Sequence, residues 1–195
     1  MNMKNKNHEN RNDCAREHEF ALIVSRQDAP NELTEEVEAA LFEAGCDDAT
    51  LSIQRGLFYL EFSRQAPSLQ DAILSAIAAV RKAGLGLMVW RVDECDLVTP
   101  SEIARRIDRS RQLIHQYMTG QRGPGKFPPP VCHLTEGSPL WAWCAVSHWL
   151  VTNDLLRPEE GWNAQVVAAI NNWLESAIQK AQNPKLVKEI AGSLR

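Results

Sequence analysis

Between Ile103 and Lys126 the chain carries Arg105, Arg106, Arg109, Arg111, Arg122 and Lys126 against one carboxylate, Asp108. Interleaved with them are Ser110, Gln112, His115 and Gln116. A guanidinium is a planar fork of donors that fits a phosphate or the O6/N7 edge of guanine. A carboxamide fits the N6/N7 edge of adenine. These side chains together suit contact with double-stranded DNA, cations setting register on phosphates and forked groups reading bases. Arg111, Gln112, His115 and Gln116 share the outward side of one helix. Arg105, Arg106 and Arg109 suit phosphates, and Arg122 and Lys126 lie on a Gly/Pro-rich segment that could reach the backbone or a minor groove. The competing reading of the arginines is a solvated helix face, and His115 fits a base contact or an exposed position without one.

Two further clusters invite other chemistry. Cys132, His133, Cys144 and His148 include a Cys-x3-His spacing that places two metal ligands one helical turn apart. However, adjacent Cys132 and His133 are awkward for one tetrahedral ion, and small apolar core cysteines are the plainer reading. Asp47 and Asp48 could chelate a cation or form a solvated turn. No Gly-rich phosphate loop, nucleophile–base pairing or paired-carboxylate arrangement is readable. The expectation is therefore a protein that is not an enzyme and has no metal and no cofactor. An enzyme or ligand-binding module in the N-terminal part is the weaker alternative.

The whole chain of 195 residues has a net charge of −4, which looks wrong for a DNA binder until it is divided. Residues 19–98 carry six basic and 14 acidic side chains, whereas residues 99–150 carry six basic and three acidic. A local basic patch is what phosphates require. The composition, 44% apolar and 24% charged, supports a packed core. No apolar run approaches the ~20 residues of a membrane-spanning helix. Residues 1–18 are polar and read as a disordered tail without a signal peptide. The five cysteines are scattered with no CxxC pair, which fits reduced thiols in a cytoplasm.

The elements that would position these residues begin with FALIVS at 20–25, a strand buried on both faces. Thr34 caps a helix ended by Gly45, its stripe Leu33, Val37, Ala40 and Leu41. Residues 50–55 and 57–63 flank Gly56 as a hairpin. Ser68, with Asp71 three positions on, caps a helix ended by Gly84, with Leu69, Ile73, Ile77 and Val80 as its stripe. Residues 87–92 are a final strand. The order β-α-β-β-α-β is that of a ferredoxin-like sandwich at 19–96.

After the polar stretch DECDL, Thr99 caps a helix with Pro100 in its first turn and Glu102 completing a capping box. The helix SEIARRI buries Ile103, Ala104 and Ile107 and breaks at Asp108-Arg109-Ser110, where Asp108 takes a left-handed backbone. Ser110 caps the helix RQLIHQYMT, which Gly120 ends; Leu113, Ile114, Tyr117 and Met118 are its inner side. QRGPGKFPPPV is irregular, and WAWCAVSHWL is an aromatic-rich helix. A long helix follows at about 163–181, with Val166, Val167, Ile170, Trp173, Leu174, Ala177 and Ile178 as a broad stripe. Such a stripe predicts a dimerisation element or packing on the same chain. A short helix at 185–194 closes the chain.

The segment SEIARRIDRSRQLIHQYMTG, then FPPPV, then SPLWAWCAVSHWL resembles the winged helix-turn-helix of the excisionase and MerR-like DNA-binding superfamily. The sequence departs from the family at the turn, where many members have Gly at the place of Asp108 and an apolar residue at that of Arg109. The resemblance covers about 50 residues and implies a recognition helix at 110–119 and a small wing. The expected fold class is α+β: a ferredoxin-like βαββαβ domain, a winged helix-turn-helix at 97–152 and C-terminal helices at 153–195. The expected function is a sequence-specific DNA-binding regulator, a transcriptional repressor or an antitoxin-like, defence-associated autoregulator. The alternative is an excisionase or DNA-bending factor. The partners implied are double-stranded DNA, a second copy in a homodimer and a protein docking on the acidic N-terminal domain, with no membrane.

Overall fold

Residues 15–135 and 137–194 are described in a computed structural model of the chain. The first half is built on local signals that the side chains supply themselves. Strand β1 (Arg16–Arg26) leads to α1 (Glu35–Ala44), where Thr34 accepts the N–H of Val37 and Gly45 closes the helix at φ 100°. Strands β2 (Ala49–Gln54) and β3 (Leu57–Ala66) are joined by Arg55 and Gly56 alone, at φ 52° and 80°. Positive φ at both central residues is what a two-residue turn needs to match the twist of its strands. Helix α2 (Leu69–Ala83) starts at Ser68, whose hydroxyl accepts the N–H of Asp71, and β4 (Leu87–Val92) completes the unit.

The architecture is mixed α+β, with the four strands in the order β2-β3-β1-β4, every neighbour antiparallel. One face of the sheet is apolar: Leu22, Val24, Phe58, Leu60, Val89 and Val92 are buried against Val37, Leu41, Ile73 and Val80 of α1 and α2. Each large aliphatic or aromatic group so enclosed contributes about 1.5–3 kcal/mol of transfer free energy. Two expectations for this half are corrected. Residues 16–18 belong to β1 instead of a tail, since they pair with 64–66 of β3; residues 1–14 lie outside the described residues. Nor is β1 buried on both faces. Its inward positions Leu22 and Val24 are enclosed, whereas Ala21 and Ile23 on the other side are half-buried.

The second half forms its own apolar cluster. Strand β5 (Leu97–Val98) pairs with β6 (Trp141–Ala142), and α3 (Pro100–Arg106), α4 (Arg111–Met118) and α5 (Trp143–Thr152) close around them. Val98, Ile103, Ile114, Trp141, Val146 and Leu150 fill the interior. The aromatic segment is thus a strand for two residues before it becomes helix. Asp96 makes that switch: its carboxylate accepts the Cys144 N–H at 2.8 Å and its carbonyl the Trp143 N–H at 2.5 Å.

Helix α6 (Pro158–Gln182) has 25 residues, about 37 Å at 1.5 Å each, and it crosses both clusters. Ala164 packs in the second cluster, and Val167 and Leu174 in the first. Of the two expectations for this stripe, dimerisation or packing on the same chain, the second describes its buried residues: α6 lies against β4 and α2 of the single four-stranded sheet unit. Trp173 remains outside, 59% exposed, with the Arg81 guanidinium 5.3 Å from its ring centre. Helix α7 (Pro184–Ser193) follows after Asn183. Among the described residues no helix is long and apolar enough to cross a membrane.

Candidate nucleic-acid interface

Helices α3 and α4 are positioned by two hydroxyl caps and one left-handed residue. Thr99 accepts the Glu102 N–H at 3.2 Å, and Pro100 occupies the first turn of α3, where a missing N–H costs nothing. The chain reverses at Asp108, φ 49°, and Arg109 donates its backbone N–H to Ala104 at 2.9 Å. Ser110 then accepts the Leu113 N–H at 3.2 Å and opens α4. Ile114 and Tyr117 face the interior with Leu113 and Met118 packed beside them. Arg111, Gln112 and His115 are left exposed and Gln116 half-buried.

The loop after α4 has no regular structure, yet aromatic residues hold it. The indole N–H of Trp149 donates to the Gly125 carbonyl at 2.9 Å, and that of Trp141 to the Pro128 carbonyl at 3.0 Å. Phe127 and Tyr117 pack on the Trp149 ring at 5.0 and 5.4 Å. Gly123 passes so close to Tyr117 that a Cβ there would sit 2.9 Å from its ring, and its φ is 83°. Arg122 is tied to the end of α4 by its N–H, which donates to the Gln116 carbonyl at 3.2 Å. Arg122 and Lys126, both exposed, thus stand on a segment fixed to the C-terminal end of α4 and to the inward-facing Tyr117 and Trp149. Further on, Cys132 and Leu140 form an isolated antiparallel bridge.

The six cations do not behave alike. Arg109, Arg111, Arg122 and Lys126 pair with no carboxylate among the described residues, although one Arg109 nitrogen donates to the Asp108 carbonyl at 2.9 Å. Arg105, exposed, forks onto Glu102 at 2.6 and 3.0 Å. Arg106 is turned inward, its side chain only 14% exposed. It donates to Glu102 at 3.1 Å, to Glu94 at 3.3 Å and to the Cys95 carbonyl at 2.9 Å, and its guanidinium lies 4.9 Å from the Trp143 ring centre. Arg106, expected to meet phosphate, has its donors committed to joining α3 to the segment after β4. Hydrogen bonds from Arg105 and Arg106 hold the Glu102 carboxyl down at about 2. Burial pushes the Glu94 carboxyl up against the pull of Arg106.

A charge count starting at Ile103 misses Glu102 by one position. Its i,i+3 and i,i+4 spacing to Arg105 and Arg106 was a readable signal of helical pairing. No comparable signal reveals Glu94 or Asp96, whose partners lie far along the chain. The metal-like cluster is also dispersed in role. The Cys144 thiol donates to Asp96 at 3.5 Å and burial raises its pKa, while His148 is exposed. Among the described residues no three His, Cys, Asp or Glu side chains are grouped to hold a metal. Asp48 is held by Arg64, whose two nitrogens reach its two oxygens at 2.7 Å each. Compared with known proteins, the chain matches no family model, no curated protein and no solved structure.

Proposed function

We propose that this chain is a sequence-specific double-stranded-DNA-binding regulator, with a ferredoxin-like unit followed by a winged helix-turn-helix. The observation that carries this reading is a set of four exposed cations without carboxylate partners among the described residues: Arg109, Arg111, Arg122 and Lys126. Arg109 lies in the turn before α4, Arg111 on α4 with Gln112 and His115, and Arg122 and Lys126 on the pinned loop after it. The strand order β2-β3-β1-β4 supports the first unit, and the α3–turn–α4 packing with the β5–β6 pair supports the second. Arg111 and Gln112 read bases, with Gln116 and His115 behind them; Arg109, Ser110, Arg122 and Lys126 meet phosphates. Arg105 contributes a phosphate contact in competition with Glu102. Arg106 leaves the set.

Such a protein acts as a repressor or an antitoxin-like autoregulator. Enrichment from a pool of random duplexes by the purified protein tests the reading. A defined motif emerging after several rounds is the expected result; a pool that stays random overturns sequence-specific binding. A second reading, a DNA-bending factor, is favoured by Val131 and Leu134, 50% and 67% exposed beyond the Pro-rich loop. Minor-groove benders insert apolar side chains of this kind between base steps. Strong dependence of complex mobility on the position of the site within a DNA fragment would select it.

A further inference from the structure

Among the described residues, no helix covers the second face of the four-stranded sheet, to which alternation along the strands turns every other side chain. Ala21, Ile23, Leu57 and Tyr59 lie on it half-buried, and the helices that touch the sheet bury residues of the opposite face. Hollows of about 570 and 450 Å³ flank Tyr59, whose hydroxyl donates to Asp93 at 2.8 Å. The first hollow is edged by Glu19, Glu61 and Asp93, and Glu17 follows on β1; all four carboxylates are exposed. Two arginines of the strands and their turns share the face, and Arg105 and Arg106 of α3, both paired to Glu102, line a further hollow with Glu19, Ala21 and Asp93. Arg91 directs its guanidinium to the Val92 and Glu94 carbonyls, and Arg55 sits at the far hairpin turn. The end of the face near Glu17 and Glu19 is therefore acidic around an apolar floor.

The same chain carries a cation surface at Arg109, Arg111, Arg122 and Lys126. No ion pair joins it to the acidic face among the described residues. Opposite surfaces that do not meet within one copy can meet between two. We infer that the open sheet face of one copy docks the basic α4–loop surface of a second copy. When each copy supplies both surfaces and a two-fold rotation relates the copies, two such contacts close a dimer. Charge complementarity gives the pairing its orientation and its salt sensitivity, and the apolar floor around Tyr59 supplies the contact area. The regulatory meaning rests on the DNA-binding reading: dimer and duplex compete for the same cations, so self-association stores the protein in a form that cannot bind.

Sedimentation velocity of the full chain, at low and at about 0.5 M salt, tests the docking without DNA. The wild type should associate at low salt and dissociate at high salt. Glu19→Lys with Glu61→Lys, and separately Arg111→Glu with Arg122→Glu, should each weaken association by about tenfold or more. An equimolar mixture of the two variants should associate again, because each altered surface then meets its complement; this recovery also shows that both variants fold. A wild type that stays monomeric at low salt overturns the inference. So does association unchanged by either charge reversal, or a mixture that fails to recover. Adding a random-sequence duplex to the wild type should release monomers bound to DNA, and a duplex carried on the intact dimer overturns the shared surface. If the protein ignores duplex altogether while the charge-swap pattern holds, the DNA reading falls and the docking stands.

Discussion

The side chain of Asn171 pairs with the backbone of Val92 as a neighbouring strand would. Its Oδ1 accepts the Val92 N–H at 2.8 Å and its Nδ2 donates to the Val92 carbonyl at 3.1 Å. Strand β4 is an edge of the sheet, and an edge leaves backbone donors and acceptors without a ladder partner. By satisfying both groups of one residue, Asn171 fixes α6 to the α/β unit while the beginning of α6 packs in the other cluster. Replacing Asn171 with Leu strands the Val92 N–H beside a partly buried helix, while the Val92 carbonyl keeps the Glu94 N–H at 2.8 Å. A loss of about 1–3 kcal/mol is expected, read from the urea midpoint at constant m-value. Unchanged stability would show that water replaces the amide without cost.

Arg106 and Arg109 should separate structure from binding. Arg106→Ala removes donors to two carboxylates and a carbonyl and uncovers the Trp143 ring, costing on the order of 2 kcal/mol in stability. Arg109→Ala should leave stability within about 0.5 kcal/mol and lower the log–log salt slope of duplex binding by about 0.9. An Arg106→Ala protein as stable as the wild type, with a reduced slope instead, would return Arg106 to the phosphates.

Glu102 predicts a pH dependence of defined sign. Its folded pKa, about 2, lies below the ordinary glutamate value of 4.5, so the unfolded chain binds the proton more readily. The stabilisation from its arginine pairs is complete above about 4.5 and is lost as pH falls towards about 2. Urea midpoints measured across this window should fall less steeply for Glu102→Gln than for the wild type. Parallel acid limbs in the two proteins would mean that the arginine pairs do not bind Glu102 more tightly on folding.

At Gly161, α6 packs closely on Val151 and Ser147 of α5. A Cβ there would sit 2.5 Å from the Val151 side chain. Alanine gains about 1 kcal/mol of helix propensity over glycine, and overpacking costs about 1–3 kcal/mol. Gly161→Ala alone should therefore be neutral to destabilising. Adding Val151→Ala removes the clash and should make Gly161→Ala favourable in that background. A cycle with no coupling between the two sites would contradict the close packing.

What the sequence discloses follows how local each cause is. Thr34, Ser68, Thr99 and Ser110 cap the helices they were read to cap, because cap and donor are three residues apart. Asp108 takes the left-handed conformation expected of it for the same reason. The stripe on α6 showed that one side would be buried but not by what, since β4 lies about 80 residues earlier in the chain. Asn171 and Arg64 gave no signal, their partners being set by tertiary packing across 79 and 16 residues. At the candidate interface, residue types were legible and orientation was not: nothing local distinguishes Arg106, turned to Trp143, from Arg105 beside it.

The central claim, that α4 reads DNA sequence, is tested most directly by one comparison. Binding of wild type, Arg111→Ala and Gln112→Ala is measured by fluorescence anisotropy on the selected duplex and on a scrambled one, at one salt concentration. Each variant should lose about 1–3 kcal/mol of discrimination between the two duplexes while keeping its binding to the scrambled one. Discrimination unchanged in both variants would contradict the account.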